Sequence, residues 1–332
     1  MRTLNVLVTG AGGPLGQSVM KAVRQSALPC RLLATDRNPL SVGFYWADAH
    51  EVLPSAEEPG YLPALAAICR REAVDAVLIG SEGEMLALAA VRESFERETG
   101  AHVIVSAPEV LRISTDKWET ARFLAAHGLA HPRSALPEPR DALEALIAKV
   151  GFPLIIKPRH SSGSRGLHRV PGRRELELLL QLVPQPVVQE YLQPDEEEYT
   201  VATFVDGDGV PQGAIVMWRE LAAGLTYRAR VMEQPEVAAA AQAVAAALRP
   251  RGPCNVQLRL TARGPVTFEI NARFSSTTSM RAHFGYNEVE MALRAFVLGE
   301  RVAPPSVTPG GALRYWEELY VPDLVEIKAQ ER

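Results

Sequence analysis

Glu269, Asn271 and Arg273 stand at alternate positions of the segment TFEINARF (residues 267–274), and Gln257 lies upstream in CNVQLRLT (residues 254–261). Successive side chains on a strand point to opposite sides. Gln257 therefore shares a polar face with Glu269, Asn271 and Arg273, while Val256, Leu258 and Leu260 on one arm, and Val266, Phe268 and Ile270 on the other, are expected to face a core. The segment 261–264 followed by Pro265 supplies the turn of a β-hairpin. Both polar sets fall on odd numbers, so an antiparallel register with 257 near 269 brings them side by side. A second group lies upstream. Lys157 ends the apolar run FPLIIK, where its ammonium would emerge at a strand mouth. The next loop, SSGSRG (residues 161–166), is rich in small residues and can fold over phosphates with its backbone N–H groups. Residues 187–192, VVQEYL, then turn from apolar to polar, and Glu198 follows in EEYTV. Each piece alone has an ordinary structural explanation. Their joint order points to a nucleotide site.

A competing signal sits at the N-terminus. In VTGAGGPLGQ (residues 8–17), Gly10, Gly13 and Gly16 follow a strand and open a helix, and Asp36 ends the next strand. That arrangement suits a dinucleotide, with pyrophosphate at the helix N-terminus and the acid on a ribose. A short-chain dehydrogenase would also need a Tyr followed by Lys four residues on, and no tyrosine here has one. A bare Gly-rich turn also serves to bring helix and strand together, so this alternative carries little weight.

The elements that would position these residues change character along the chain. Up to about residue 108, apolar strands alternate with helices, as in an open parallel sheet covered by helices. A helix over STDKWETARFLAAHGL is expected to start from Ser114 or Thr115 as N-cap and to close at Gly128. From about 150 onward longer strands and hairpins dominate. The division is 1–108, 109–305, and an extension 306–332 packed on the second part. With 332 residues, 47% apolar and 22% charged, the chain has the composition of a globular protein. A net charge of −4 gives no footprint for nucleic acid or an anionic membrane. Cys30, Cys69 and Cys254 are far apart and form no CxxC pair, which fits a reducing compartment. No signal peptide is legible and the Ala-rich stretch 237–248 is too short to span a bilayer, so a cytoplasmic location is expected.

The order of these motifs resembles the ATP-grasp superfamily over nearly the whole chain, and is most similar to a single synthetase unit of the carbamoyl-phosphate synthase large chain. The resemblance implies a Rossmann-like pre-ATP-grasp domain (α/β) followed by an ATP-grasp domain of two α+β subdomains. It implies ATP and Mg²⁺, or Mn²⁺, as cofactors. By the same resemblance, Lys117 in TDKWETARFL and Lys157 contact phosphates beneath the loop of Ser161, Ser162, Gly163, Ser164 and Gly166. Gln189, Glu190 and the Leu192 amide meet adenine, and Glu198 holds the ribose hydroxyls. Gln257, Glu269 and Asn271 are implied as metal ligands, hard oxygen donors that suit Mg²⁺. Arg273 is implied to steady the transferred phosphate, and Glu82 in IGSEGEMLALA to lie near the substrate cleft. One departure stands out: the synthase motif carries a second arginine where this chain has Ser276 in NARFSSTTS. That weakens a carbamoyl-phosphate-type kinase acting on bicarbonate or carbamate. It favours an ADP-forming ligase that turns a carboxylate into an acyl phosphate and passes it to an amine, or less readily to ammonia or a thiol. The expected partners are thus small-molecule carboxylate and amine substrates, with neither nucleic acid nor membrane. The oligomeric state does not read out, a homodimer being one option. Arg228 and Arg230 in YRARV are further candidates for an anion, and a nucleotide-binding protein without ligase activity is a third reading.

Overall fold

Short, continuously apolar strands alternating with amphipathic helices build the first layer, because a strand covered on both faces needs apolar residues on both. The computed structural model, describing residues 2–321, shows this in β1 (Leu4–Val8), β2 (Cys30–Asp36), β3 (Ala49–Val52), β4 (Ala76–Leu78) and β5 (His102–Ile104). They form a parallel sheet in the order β3-β2-β1-β4-β5. Helices α1 (Pro14–Arg24), α2 (Tyr61–Arg71) and α3 (Glu82–Thr99) join them, and α4 (Pro108–Thr115) and α5 (Lys117–Ala126) lead out. The β3 strand was not legible in the sequence, since its pattern of AHEV alternates too briefly to stand out.

The cap expected at Ser114 or Thr115 is corrected. Those residues finish α4, and Asp116 caps α5 by accepting from the Trp118 and Glu119 amides at 2.9 and 3.3 Å. Asp116 followed three residues later by Glu119 is the spacing of a capping box.

Two antiparallel sheets follow. The smaller has the order β6-β9-β7-β8, from β6 (Ser134–Ala135), β7 (Leu154–Pro158), β8 (His168–Val170) and β9 (Pro186–Glu190), covered by α6 (Arg140–Val150) and α7 (Arg173–Leu182). The larger has the order β14-β13-β10-β11-β12-β15. Its strands are β10 (Glu198–Val205), β11 (Pro211–Ala222), β12 (Leu225–Val231), β13 (Gly252–Thr261), β14 (Gly264–Asn271) and β15 (Gly311–Leu313). Helices α8 (Pro235–Leu248), α9 (Thr278–His283) and α10 (Glu288–Ala292) complete it. Within the expected extension, β15 pairs with β12, and Arg314 donates to the Thr226 and Ser276 carbonyls at 2.9 and 2.7 Å. Residues 322–332 of that extension lie outside the described residues.

The cores do not divide at 108. One apolar cluster joins Leu7, Leu33 and Leu88 of the first layer to Val201, Val256 and Ile270 of the large sheet, with Val244 of α8. A second joins Val6, Val8 and Val19 to Phe204, Met217 and Leu293. The third is self-contained and uses only the small sheet and its helices, among them Leu143, Leu154, Ile156, Leu176 and Val188. No helix among the described residues is long and apolar enough to cross a membrane.

Candidate active site

The hairpin β13–β14 pairs Gln257 with Glu269 and Asn255 with Asn271, as the odd-number parity requires. The register then shifts: Leu258 pairs with Thr267 and Arg259 with Val266, leaving Phe268 as an extra residue in a β-bulge. The bulge corrects the expected core face of β14. Ile270 stays in the core, but Thr267 takes the next inward place at 2% exposure. Val266 is buried as expected, at 1% exposure opposite Arg259, whereas Phe268 turns toward the small sheet, its ring centroid 5.9 Å from Lys157 Nζ.

Between the two antiparallel sheets and the mouth of the parallel one lies a cavity of about 270 Å³ lined by Glu82, Arg219, Gln257, Glu269, Asn271 and Arg273, among others. A narrower recess continues from it to Lys117, Ser161 and Ser162. Glu269 Oε1 accepts from Gln257 Nε2 at 3.0 Å and from Asn271 Nδ2 at 2.9 Å. Among the described residues, neither Glu269 Oε2 nor Asn271 Oδ1 accepts a side-chain hydrogen bond, so both oxygens remain available to a hard cation. No three His, Cys, Asp or Glu side chains among the described residues are grouped to hold a metal ion. The oxygen donors here are one carboxylate and amides.

Cations converge on that carboxylate. Lys157, at the end of β7, is 4% exposed, and among the described residues its ammonium has no hydrogen-bond or ion-pair partner. Burial pushes its pKa down to about 8, Glu269 opposing and Lys117 adding to the fall. Lys117 opens α5 and donates to the Ser161 carbonyl at 2.7 Å and Ser161 Oγ at 3.1 Å. Burial lowers its pKa as well, against the pull of Glu269, Glu82 and Asp116. Arg273 is held through the Phe274 carbonyl at 2.8 Å; burial lowers its pKa, with Glu269 and Glu82 opposing. Burial alone would raise the Glu269 carboxyl. The Asn271 hydrogen bond and the charges of Lys117, Lys157 and Arg219 outweigh it, so its pKa lies below the usual carboxylate range.

The loop 161–166 lies across this cavity, with Ser164, Gly163 and Gly166 at positive φ. It touches the β11–β12 turn so closely that a Cβ on Gly224 would stand 2.2 Å from the Gly163 carbonyl oxygen. On its other side the loop is held by Lys117 through Ser161, and Asp116, the cap of α5, pairs with Arg159 just before the loop. Beneath Asn255 and the segment after β14, Arg281 is fully buried and donates to Asn255 Oδ1 (2.9 Å), Ser275 Oγ (2.5 Å) and Thr278 Oγ1 (3.2 Å). It lies 2.9 Å from Glu288, whose pKa burial pushes up to about 7 against the pull of Arg281.

The remaining expected residues lie along one wall. Gln189 is buried in β9 and donates to Ser134 Oγ at 2.8 Å, and Glu190 pairs with Arg263. The Leu192 carbonyl accepts from Arg259 at 2.7 Å. Glu198 is engaged on both oxygens, by Arg219 Nε and Nη2 (3.0 and 2.8 Å) and by Arg259 Nη2 (2.6 Å). Arg219 also donates to Gln257 Oε1 at 2.7 Å. Sequence reasoning missed Arg219; an arginine on the strand after Glu198, directly across a hairpin from it, was the available signal. Arg228 and Arg230 are not in this cavity. They line a separate groove with Met232, Val307 and Pro309, and Arg228 pairs with Glu220.

The N-terminal turn contrasts with this. A Cβ on Gly16 would stand 2.1 Å from the Gly10 carbonyl oxygen, and one on Gly80 2.0 Å from that of Thr9. Asp36 accepts from the Gly12 and Asn38 amides at 2.7 and 2.8 Å. The glycines serve close packing of backbone on backbone, and the acid is spent on an amide of the glycine turn and one of its own loop. That geometry removes the support for a dinucleotide site.

Two family descriptions match the chain: "PylC-like, N-terminal domain" over residues 6–104, and "ATP-grasp in the biosynthetic pathway with Ter operon" over residues 183–319. The carbamoyl phosphate synthase large chain of Kineococcus radiotolerans is 26% identical over 195 residues, 54% of this chain but only 18% of that one. A D-alanine–D-alanine ligase of Aromatoleum aromaticum is 36% identical over 78 residues, 24% of each chain. In three dimensions, N5-carboxyaminoimidazole synthetase from Staphylococcus aureus complexed with ADP is similar with a TM-score of 0.75 at 14% identity, over 94% of this chain and 82% of that one. The fold is therefore that of a Rossmann-like domain followed by an ATP-grasp domain.

Proposed function

We propose that this chain, which belongs to the ATP-grasp superfamily, is an ADP-forming ligase that joins a carboxylate to an amine at the expense of ATP. The observation that carries the reading is Lys157: a buried ammonium that, among the described residues, has no hydrogen-bond or ion-pair partner, in the field of Glu269 and Glu198 and beside Lys117. A buried charge left unpaired is costly. A nucleotide polyphosphate would relieve that cost, because it brings negative charge where four cations surround one carboxylate.

In this reading the adenine lies against Gln189, Glu190 and the Leu192 backbone. The phosphates run beneath Ser161, Ser162, Gly163, Ser164 and Gly166 toward Lys117 and Lys157. Glu198 accepts three guanidinium hydrogen bonds and retains lone-pair capacity for a ribose hydroxyl. Glu269 and Asn271 hold the divalent ion, which when bound supplies charge neutralisation to the phosphates.

A substrate carboxylate oxygen attacks the γ-phosphorus, the bond to the β,γ-bridging oxygen breaks, and ADP leaves. The amine nitrogen then adds to the carbonyl carbon of the acyl phosphate, the bond to the phosphate oxygen breaks, and inorganic phosphate departs as the amine loses its proton. Lys157, Lys117 and Arg273 hold the transferring group against its developing charge, and the loop 161–166 excludes water that would hydrolyse the acyl phosphate. Glu82, on the opposite wall, can hold an ammonium of the acceptor.

The test is ADP release from ATP with panels of carboxylates and amines, bicarbonate included, in the wild type and Glu269→Gln. Turnover requiring both a carboxylate and an amine, and falling at least about 100-fold in the variant, supports the ligase. Release that needs bicarbonate alone moves the reading to a carbamoyl-phosphate-type kinase, for which the synthase relatives speak. Binding of Mg·ADP with no turnover on any pair would leave a nucleotide-binding protein.

A further inference from the structure

We propose that Arg219 fills the place of a second divalent cation, so that the cleft loads a single ion, on Glu269 and Asn271, with its nucleotide; the inference rests on the nucleotide reading above. Four side chains on this wall carry oxygen donors fit for a hard cation: Glu198, Gln257, Glu269 and Asn271. Two of the four are already claimed by one guanidinium. Arg219 comes from β11 with its side chain 8% exposed, and its Nε and Nη2 both reach Glu198 Oε1. The same Nη2 donates to Gln257 Oε1 at 2.7 Å.

The Gln257 amide cannot simply turn round. A guanidinium only donates and a carboxylate only accepts, so the oxygen must face Arg219 and the nitrogen Glu269. To ligate a metal, Gln257 would have to release a charge-assisted bond of the strong kind, and the incoming ion would meet the fixed charge of Arg219. Glu198 is no easier to recruit, because Arg259 holds its other oxygen at 2.6 Å. What remains for a metal is Glu269 Oε2 and Asn271 Oδ1, the donors of one Mg²⁺ that takes its other ligands from phosphates and water. Arg219 is thus a positioning residue: it fixes Glu198 and Gln257 and contributes a permanent positive charge beside the phosphates.

The experiment counts Mn²⁺ ions bound by the full chain, by electron paramagnetic resonance, with a saturating non-hydrolysable ATP analogue. The wild type and Arg219→Lys are expected to take one nucleotide-dependent ion per chain. Arg219→Gln, which frees Glu198 and Gln257, is expected to take two. Two ions in the wild type, or one in a folded Arg219→Gln, would overturn the inference while leaving the nucleotide site intact. No nucleotide-dependent Mn²⁺ in any of the three would overturn the nucleotide reading and this inference together. Should Arg219→Gln fail to fold, the wild-type count alone still decides.

Discussion

Two turns in this molecule could be taken for nucleotide sites, and they differ in what their own atoms leave unsatisfied. At the turn after β1, the glycines admit neighbouring backbone to within a Cβ radius, and Asp36 is satisfied by one amide of that turn, Gly12, and one of its own loop, Asn38. At the end of β7, Lys157 is buried and, among the described residues, has no hydrogen-bond or ion-pair partner, while two oxygens of the facing hairpin accept no side-chain hydrogen bond from those residues. Glycine spacing reports only that backbones approach. A ligand site is marked by polar groups whose partners are missing, since a protein seldom leaves buried charge uncompensated without a use for it.

The comparison breaks most directly at Lys157. Lys157→Met is expected to weaken Mg·ADP binding by more than about 100-fold by calorimetry, equivalent to about 3 kcal/mol, while raising the melting temperature of the ligand-free protein at pH 7. The opposed directions follow from a charge that is costly in the fold and useful to the ligand. A variant that bound ADP normally would remove the cleft from consideration.

Gly16→Ala supplies the converse. A methyl 2.1 Å from the Gly10 carbonyl oxygen forces backbone to move, and a loss of about 3 kcal/mol is expected in denaturant unfolding. The protein that folds should bind ADP within about twofold of wild type. A large selective loss of affinity with stability unchanged would return the ligand to the N-terminal turn.

The smallest effect is in pH. The Lys157 pKa of about 8 in the folded protein lies below its unfolded value of 10.5, so between those limits the unfolded chain holds the extra proton. Unfolding free energy therefore gains a rising contribution across that window, and the cost of the buried ammonium is fully present below pH 8. Nucleotide affinity should move the other way, falling by about tenfold from pH 8 to 9.5 as the free site loses its proton. A fall of the same size in Lys157→Met would assign the titration to another group.

Much of this was readable from residue order. Parity placed Gln257 opposite Glu269, because an antiparallel register preserves odd and even faces, and the strand of Lys157 declared itself by its apolar run. The bulge at Phe268 was not readable: which residue is skipped depends on the partner strand and on packing beneath it, and TFEI alternates equally well either way. Arg219 was hidden for a different reason. Its contacts with Glu198 and Gln257 span hairpins and neighbouring strands of the large sheet, and a lone arginine in a strand carries no local mark of what lies across from it. The cap of α5 was misplaced at Ser114 or Thr115, although the Asp-x-x-Glu spacing from Asp116 to Glu119 was the signal that marks it.

The self-contained core of the small sheet has a consequence for how the molecule opens. Its apolar cluster shares no member with the other two, and its ties to the large sheet and to the start of α5 include polar bridges: Arg263 to Glu190, Arg259 to the Leu192 carbonyl and Lys117 to Ser161. Amides of β7 and β9 should then exchange with deuterium through an opening of their own, below the free energy that unfolds the rest. A nucleotide lodged between the sheets would tie the two units together, so that their exchange clocks, separate in the empty protein, would run as one when it is bound.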